Sequence, residues 1–183
     1  MKNVLLINVC REKLHYYEFV KPIEDILIKE GISFETKFYK DLNIASLKNK
    51  SSVIICGTAL KDFEYEKSIH YFEWVNSFDK PVLGICAGMQ IIGLIFGGKI
   101  KNKTEIGYFN EDFKKDFFGL RGTKEVYHLH NAFVDFKKLK EFDIFSEGNY
   151  VVQAIKHKNK YIYGVLFHPE VRQKELIRNF ALN

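Results

Sequence analysis

Residues 81–100 read PVLGICAGMQIIGLIFGGKI, and the fold class can be inferred from this stretch. A short apolar run at 82–85 is typical of one buried strand, and the apolar residues 89–96 indicate a buried helix after a tight turn. Cys86 falls in that turn, where α/β hydrolases carry their nucleophile and where the helix N-terminus favours a thiolate. Because cysteine is among the residues most often buried, a packing thiol explains this stretch alone equally well.

Length and composition indicate a single domain over residues 1–183. Hydrophobic residues make up 46% and charged residues 28%, an ordinary globular balance. The apolar runs are too short to cross a membrane, and the N-terminal run lacks a cleavage site. Three widely spaced cysteines without a CxxC pair argue against disulfides and fit the cytoplasm. The net charge of +5 comes from lysines interleaved with acids, so neither a nucleic acid nor a membrane is expected as partner.

Apolar runs alternate with helical patterns along the first half of the chain. Strands are predicted at 3–9, 32–39 and 52–56, and helices at 14–30 and 62–78. Pro22 either kinks the first helix or marks its start. This alternation predicts an α/β fold with parallel strands and right-handed crossovers. Functional groups gather at the carboxyl ends of such strands, which is where Gly57 and Cys86 fall.

The second half of the chain changes character. Residues 99–118 are mixed and are interpreted as loops with short strands. Further strands, several of them antiparallel, are predicted at 123–128, 132–136, 150–156 and 161–167. A C-terminal helix is predicted over 171–182. The expected sheet is therefore mostly parallel, with additional antiparallel strands in the second half.

A cysteine nucleophile needs a base and a third group that orients the base. Of the six histidines, His168 follows an apolar strand and precedes a proline, which keeps its backbone extended. If the strands are parallel, His168 lies at the same sheet edge as Cys86, and Glu170 is placed to accept a hydrogen bond from its imidazole. Helical or hairpin patterns indicate surface or packing positions for His15, His70 and His157.

His128 and His130 form an H-x-H pair, and the two side chains face the same side of a strand. Together with His168 they would make a three-histidine metal site. No carboxylate falls at a supporting spacing, so a pocket wall is the simpler interpretation. Neither a metal nor another cofactor is predicted.

Two motifs carry a family resemblance. Residues 84–90, GICAGMQ, followed by Gly97 and Gly98, resemble the nucleophile motif of the class I glutamine amidotransferases. Residues 164–170, GVLFHPE, resemble the histidine–glutamate motif of the same family, and the chain ends in a similar way at 179–180. The resemblance covers nearly the whole chain. It implies a flavodoxin-like three-layer domain that hydrolyses L-glutamine to glutamate and ammonia.

The resemblance also assigns roles to residues. It implies a triad of Cys86, His168 and Glu170 that forms a γ-glutamyl thioester, with Ala87 as one oxyanion donor. Substrate contacts carry over to Gly88, Gln90, His130, Asn131 and Phe133. Residues 105–108 resemble the family's E-x-G segment beside the glutamine site.

The loop after the third strand departs from the family pattern. Residues 56–59 read CGTA, with one glycine and no proline. The second oxyanion donor therefore falls on Gly57 or Thr58, and a residue other than glycine there implies that the loop moves before catalysis.

Most members of the family pass ammonia to a synthase domain. This chain leaves no room for one, so the resemblance implies that its partner is a separate synthase subunit, first of all of the GMP-synthase type. Histidine-pathway, anthranilate and aminodeoxychorismate partners stay open. The alternatives are a stand-alone hydrolase of γ-glutamyl compounds, a regulatory protein without catalysis and, least favoured, a basic nucleic-acid-binding module.

Overall fold

A sheet of nine strands forms the frame of the protein in the computed structural model, which describes residues 2–183. The strands are β1 (Asn3–Asn8), β2 (Ser33–Phe38), β3 (Ser52–Ile55), β4 (Val82–Ile85), β5 (Ile100–Phe117), β6 (Leu120–Val134), β7 (Phe142–Gly148), β8 (Val151–His157) and β9 (Ile162–Val165). The α-helices are α1 (Lys13–Phe19), α2 (Lys21–Lys29), α3 (Ile44–Leu47), α4 (Glu64–Lys67), α5 (Ala87–Ile95) and α6 (Lys174–Leu182). Short 3-10 helices cover Tyr39–Asp41, Ile69–Asn76 and Phe136–Lys138.

The strand order across the sheet is β2-β1-β3-β4-β9-β8-β7-β5-β6, and the first five of these strands are parallel. Flavodoxin-like sheets have this order of parallel strands. Continuous apolar runs favour it because central parallel strands are covered on both faces, and every residue of β3, β4 and β9 is buried. The predicted α/β class, with parallel strands followed by antiparallel ones, is confirmed.

Two hydrophobic cores lie on opposite faces of the sheet. Val4 and Leu6 of β1 belong to the core that α2 and α6 cover, whereas Leu5 and Ile7 belong to the core that α5 covers. This alternation follows from the two-residue period of a strand. The sheet is thereby the middle layer of three. Among residues 2–183, no helix combines the length and apolar character that a membrane crossing requires.

A long antiparallel hairpin extends the sheet where loops with short strands are predicted over 99–118. β5 has 18 residues and β6 has 15, and the two strands pair almost from end to end. The loop prediction is wrong because β5 buries polar side chains, Glu105 and Glu111, at positions where a half-buried strand normally carries apolar ones. The strand predicted at 123–128 lies within β6, and the one predicted at 132–136 extends two residues beyond its end at Val134. The sequence does not predict β7.

The helical segments are shorter than the sequence predicts. The first helix is divided at Val20, and Pro22 lies in the first turn of α2, where a missing N–H costs nothing. The helix predicted over 62–78 is α4 followed by a 3-10 helix. Phe72 and Val75 are buried three residues apart, the spacing at which side chains align in a 3-10 helix.

Candidate active site

Cys86 lies at the junction between β4 and α5 with φ 49° and ψ −104°. A positive φ is strained for any residue but glycine, and such strain is typical of functional positions. The junction is tight: a Cβ atom on Gly88 would lie 2.2 Å from the carbonyl oxygen of Ile55. The backbone N–H of Cys86 donates a 2.8 Å hydrogen bond to the carbonyl of Val165 in β9. The thiol is thereby held in an elbow at the carboxyl end of β4.

His168 and Glu170 come from the neighbouring strand end. β4 and β9 are paired in parallel, with Ile85 opposite Val165, so their carboxyl ends meet at one edge of the sheet. Nδ1 of His168 and Oε1 of Glu170 are 2.7 Å apart, and both side chains are buried. The backbone N–H of His168 donates to the carbonyl of Tyr127 in β6 at 2.8 Å.

Gly57 shows how close the imidazole and the thiol are to each other. A Cβ atom on this residue would lie 2.8 Å from Cε1 of His168 and 3.5 Å from Cβ of Cys86. The loop after β3 therefore packs against both side chains. In the described part of the chain, Nε2 of His168 has no hydrogen-bond partner, whereas Sγ of Cys86 contacts the carbonyl of Leu129 at 3.7 Å.

Burial and charge act in opposite directions on His168. Burial lowers the pKa of its imidazole, but the negative charges of Glu170 and Cys86 outweigh burial and hold the pKa well above its usual value. The thiols of the other two cysteines, Cys10 and Cys56, have raised pKa values. Burial raises the pKa of Cys10 to about 12 and places the pKa of Cys56 well above its usual value. Of the three cysteines, Cys86 is the one that lies beside the imidazole of His168.

A small cavity of about 10 Å³ lies beside Cys86, room for about one water molecule. Its lining includes Thr58, Ala87, Gln90, His130 and Asn131. Nδ2 of Asn131 donates to the carbonyl of Leu60 at 3.0 Å and so ties β6 to the loop after β3. A larger cavity of about 410 Å³, lined by Phe117, Phe118 and Tyr163, does not include the thiol.

The residues predicted to contact substrate do not all line the cavity beside Cys86. The amide of Gln90 lines the cavity but is already used: Nε2 donates to the carbonyl of Ala132 at 2.8 Å, and Oε1 accepts from the hydroxyl of Tyr65. Gly88 faces the backbone of β3. Phe133 does not line this cavity and packs on the core beneath α5. The sequence offers no signal for Tyr65, because its role depends on a contact 25 positions along the chain.

Thr58 lies in the loop that departs from the family pattern. Its Oγ1 donates to Oδ2 of Asp62 at 2.8 Å, and the same carboxylate oxygen accepts the backbone N–H of Arg11 at 2.7 Å. The carbonyl of Gly57 accepts from Sγ of Cys10 at 3.6 Å. These hydrogen bonds hold the loop after β3 in place over the thiol of Cys86.

The H-x-H pair has carboxylate neighbours, so the expectation that none accompanies it is wrong. Antiparallel pairing places Glu105 of β5 opposite His130, and Oε1 of Glu111 lies 3.3 Å from Nε2 of His128. Burial and the neighbouring ring of His128 lower the pKa of His130 to about 4. A sequence signal does exist, since Glu105 and Glu111 are an even number of residues apart in one strand and thus share a face. His168 does not belong to this group.

An elbow thiol beside a buried histidine–glutamate pair defines the protein as an α/β protein with a cysteine-centred site. The model of the family "Glutamine amidotransferase class-I" matches residues 15–182. The chain belongs to the class-I glutamine amidotransferase family, which confirms the resemblance seen in its two motifs.

Individual relatives agree with the family assignment. A subunit of the glutamine-hydrolyzing GMP synthase of Pyrococcus furiosus is 33% identical over 150 residues, 75% of this chain and 77% of that protein. The glutamine-hydrolyzing GMP synthase of Staphylococcus epidermidis is 35% identical over 154 residues, 77% of this chain. The match spans only 29% of the Staphylococcus protein.

Solved structures show the same fold. One from Thermoplasma acidophilum superimposes with a TM-score of 0.85 at 23% identity, covering 99% of this chain and 92% of that one. A glutamine amidotransferase from Thermotoga maritima superimposes with a TM-score of 0.73 at 22% identity, covering 98% of this chain and 82% of that one. These similarities establish the flavodoxin-like amidotransferase fold.

Proposed function

We propose that this chain hydrolyses L-glutamine to glutamate and ammonia and delivers the ammonia to a separate synthase subunit of the GMP-synthase type. Membership of the class-I glutamine amidotransferases supports the reaction. The relatives from Pyrococcus and Methanocaldococcus, which the chain matches over about three quarters of their length, are named as subunits of GMP synthase and support the partner.

One observation carries the catalytic part of the proposal. The imidazole of His168 is oriented by the 2.7 Å contact between Nδ1 and Glu170. Its other nitrogen has no hydrogen-bond partner among residues 2–183, and the ring lies beside the elbow thiol of Cys86. The raised pKa of His168 favours the imidazolium, and an imidazolium stabilises a neighbouring thiolate. The nucleophile Cys86, the base His168 and the orienting carboxylate of Glu170 are thus arranged next to one another in space.

The reaction follows from these positions. His168 takes the proton from Sγ of Cys86, and the thiolate attacks the side-chain amide carbon of glutamine. When the tetrahedral intermediate collapses, the carbon–nitrogen bond breaks, and His168 returns the proton to the departing ammonia. A γ-glutamyl thioester remains on Cys86. Water, deprotonated by His168, then cleaves the thioester to glutamate and regenerates the thiol.

The tetrahedral intermediate carries an oxyanion that needs backbone N–H donors. Ala87, the first residue of α5, supplies one donor at the helix N-terminus, and Gly57 or Thr58 in the opposing loop supplies the other. Thr58 and Ala87 both line the cavity beside Cys86. The loop therefore has to form the oxyanion hole and admit the substrate as well.

A glutamine side chain does not fit into a cavity with room for about one water. The loop after β3 must therefore open before catalysis, and the hydrogen bond from Asn131 to Leu60 must break. Binding of the synthase subunit is the event that we propose opens the loop. Glutaminase activity of the isolated chain is accordingly low.

Covalent labelling tests the proposal. A diazoketone analogue of glutamine is added to the chain with and without a GMP-synthase-type synthase subunit, and the modified peptides are identified by mass spectrometry. Cys86 becomes alkylated, faster with the synthase present, whereas Cys10 and Cys56 stay unmodified because their raised pKa values keep them as thiols.

Two results would contradict the proposal. An unmodified Cys86 in the presence of the synthase removes the nucleophile, and ammonia release by a Cys86→Ala variant does the same. Full turnover of glutamine or γ-glutamyl amides without any partner would instead identify a stand-alone hydrolase.

A further inference from the structure

Three side chains of the β5–β6 hairpin converge beside the cavity that contains Cys86. Oε2 of Glu105 lies 3.1 Å from Nε2 of His130 and 3.4 Å from Nδ1 of His128. The two ring nitrogens are 3.3 Å apart. All three side chains are almost completely buried, with at most 4% of their surface exposed. Three atoms that can each offer a lone pair therefore lie within 3.4 Å of one another.

These distances match one face of a metal tetrahedron. Zn²⁺ binds imidazole nitrogen and carboxylate oxygen at about 2.0–2.1 Å, which places tetrahedral ligand atoms about 3.3 Å from one another. The three distances in the hairpin, 3.1, 3.3 and 3.4 Å, lie around that value. These separations suit a single ion bound by all three atoms.

One arrangement of the ring protons leaves Nε2 of His128 without a donor to the carboxylate that faces it. If Nδ1 donates its proton to Glu105, the neutral ring has a lone pair on Nε2, and this atom lies 3.3 Å from the carboxylate oxygen Oε1 of Glu111. Among residues 2–183, Nε2 of His128 has no hydrogen-bond partner although it is buried. With a metal on Nδ1, the proton belongs on Nε2, which faces the carboxylate of Glu111 at 3.3 Å.

The outer contacts of Glu105 and His128 resemble those that orient metal ligands in proteins. Ligating histidines usually face a carboxylate with their other nitrogen, and ligating carboxylates are themselves hydrogen-bonded. Glu111 supplies the carboxylate for His128. Asn149 donates to Oε1 of Glu105 at 3.1 Å, and Gln153 donates to Oε2 at 2.9 Å. Both oxygens of Glu105 are thereby held in place by the neighbouring β7–β8 hairpin.

The charges of the buried carboxylates also favour a bound cation. Glu105 and Glu111 are 4% and 2% exposed, and in the described part of the chain their ion pairs are all with histidines, none with lysine or arginine. Buried carboxylates without a compensating cation are costly. A divalent ion between two neutral imidazoles and two carboxylates would balance the charge of the cluster.

We propose that Glu105, His128 and His130 bind a divalent transition-metal ion of the Zn²⁺ type, with water or the second oxygen of Glu105 in the fourth position. Two imidazole ligands favour Zn²⁺, Co²⁺ or Ni²⁺ over Mg²⁺ and Ca²⁺, which prefer oxygen. Glu111 acts as a positioning residue for His128. The site is structural and does not take part in the hydrolysis of glutamine.

The metal would tie β5 to β6 directly behind the reactive thiol. Leu129 lies between the two histidine ligands, and its carbonyl contacts Sγ of Cys86 at 3.7 Å. His130 also lines the small cavity. A bound ion therefore fixes the wall of β6 against which the thiol rests, whichever compound the cavity accepts.

Metal binding is measured on the full chain after removal of metals with a chelator. A Cys86→Ser background excludes the reactive thiol as a ligand. Dialysis against Zn²⁺ gives one ion per chain, and titration with Co²⁺ produces the intense visible absorption of a tetrahedral cobalt site. Glu105→Gln and His128→Ala each weaken binding by at least 100-fold. Glu111→Gln weakens it by about 10- to 100-fold. His70→Ala, at an exposed histidine, leaves binding unchanged.

Thermal unfolding separates loss of the site from loss of the fold. Glu105→Gln preserves side-chain volume and unfolds cooperatively in chelator. Its melting temperature does not respond to Zn²⁺, whereas that of the parent chain rises with Zn²⁺ concentration. The proposal is overturned if the parent binds less than one ion per chain, or if Glu105→Gln and His128→Ala bind Zn²⁺ as tightly as the parent. Labelling of Cys86 is read separately, so failure of one proposal leaves the other intact.

Discussion

Asn131 and Leu60 restrict the cavity beside Cys86: Nδ2 of the asparagine donates a 3.0 Å hydrogen bond to the leucine carbonyl. This bond joins β6 to the loop that follows β3, and both residues line the cavity. Access to the thiol therefore depends on a contact between two segments 71 positions apart in the chain.

Asn131→Ala is expected to open the cavity. One hydrogen bond contributes about 0.5–1.5 kcal/mol, so the open form becomes about two- to tenfold more populated. The rate at which the glutamine-analogue electrophile alkylates Cys86 in the isolated chain should rise by the same factor. Asn102→Ala, at an exposed asparagine of β5, is the matched control with an unchanged rate. Slower labelling of Asn131→Ala would show that the amide binds the ligand and does not restrict its entry.

Gly57→Ala is expected to impair the site without unfolding the protein. The added Cβ would lie 2.8 Å from Cε1 of His168 and displaces the imidazole, and misplacement of a catalytic group by about 1 Å lowers reactivity by about 10²-fold. Alkylation of Cys86 reports the effect. Gly97→Ala is the contrasting variant: its side chain meets nothing within 4 Å, but φ +81° strains the backbone. That variant should lose stability and keep the labelling rate. Equal labelling of both variants would contradict the placement of Gly57.

Stability should fall with rising pH above about 6.5, the ordinary pKa of histidine. The folded-state pKa of His168 is raised, because the charges of Glu170 and Cys86 outweigh burial, so the native state binds more protons than the unfolded state in this window. The stabilisation is complete below about pH 6.5 and is lost as the pH rises through the folded pKa. His130 and His157, whose pKa values are lowered, act below this window.

Urea unfolding at a series of pH values measures this dependence. Glu170→Gln removes the largest cause of the raised pKa and should flatten the slope above pH 6.5. Glu175→Gln, at an exposed glutamate of α6, should leave the slope as it is. An unaltered slope in Glu170→Gln would exclude His168 as the group responsible.

Tyr65→Phe should destabilise the fold through Gln90. The phenol donates to Oε1 of Gln90, and both side chains are buried, at 2% and 3% exposure. Removal of the donor leaves a buried carbonyl oxygen unpaired, which costs about 1–3 kcal/mol in the free energy of unfolding. Tyr71→Phe, at a tyrosine with 37% exposure, should change it by less than about 0.5 kcal/mol. Equal effects in urea unfolding would show that the Tyr65–Gln90 contact contributes nothing.

The predictable parts of the fold are those with a local period. Continuous apolar runs identify β1, β3, β4 and β9 because parallel central strands are buried on both faces. β5 escapes prediction because it carries Glu105 and Glu111 on its buried face, and their burial depends on histidines of another strand. The even spacing of Glu105 and Glu111 places both on one face of β5, but it does not show that this face is buried.

Local sequence was enough to locate the elbow at Cys86 and the histidine–glutamate pair at His168, because both depend on a few consecutive residues and on the apolar strands before them. Their surroundings follow from the three-dimensional arrangement of the strands. The register of β5 against β6 brings Glu105 to His130, and the approach of the loop after β3 brings Leu60 to Asn131. Such contacts depend on which strands become neighbours, and a local pattern carries no information about that choice.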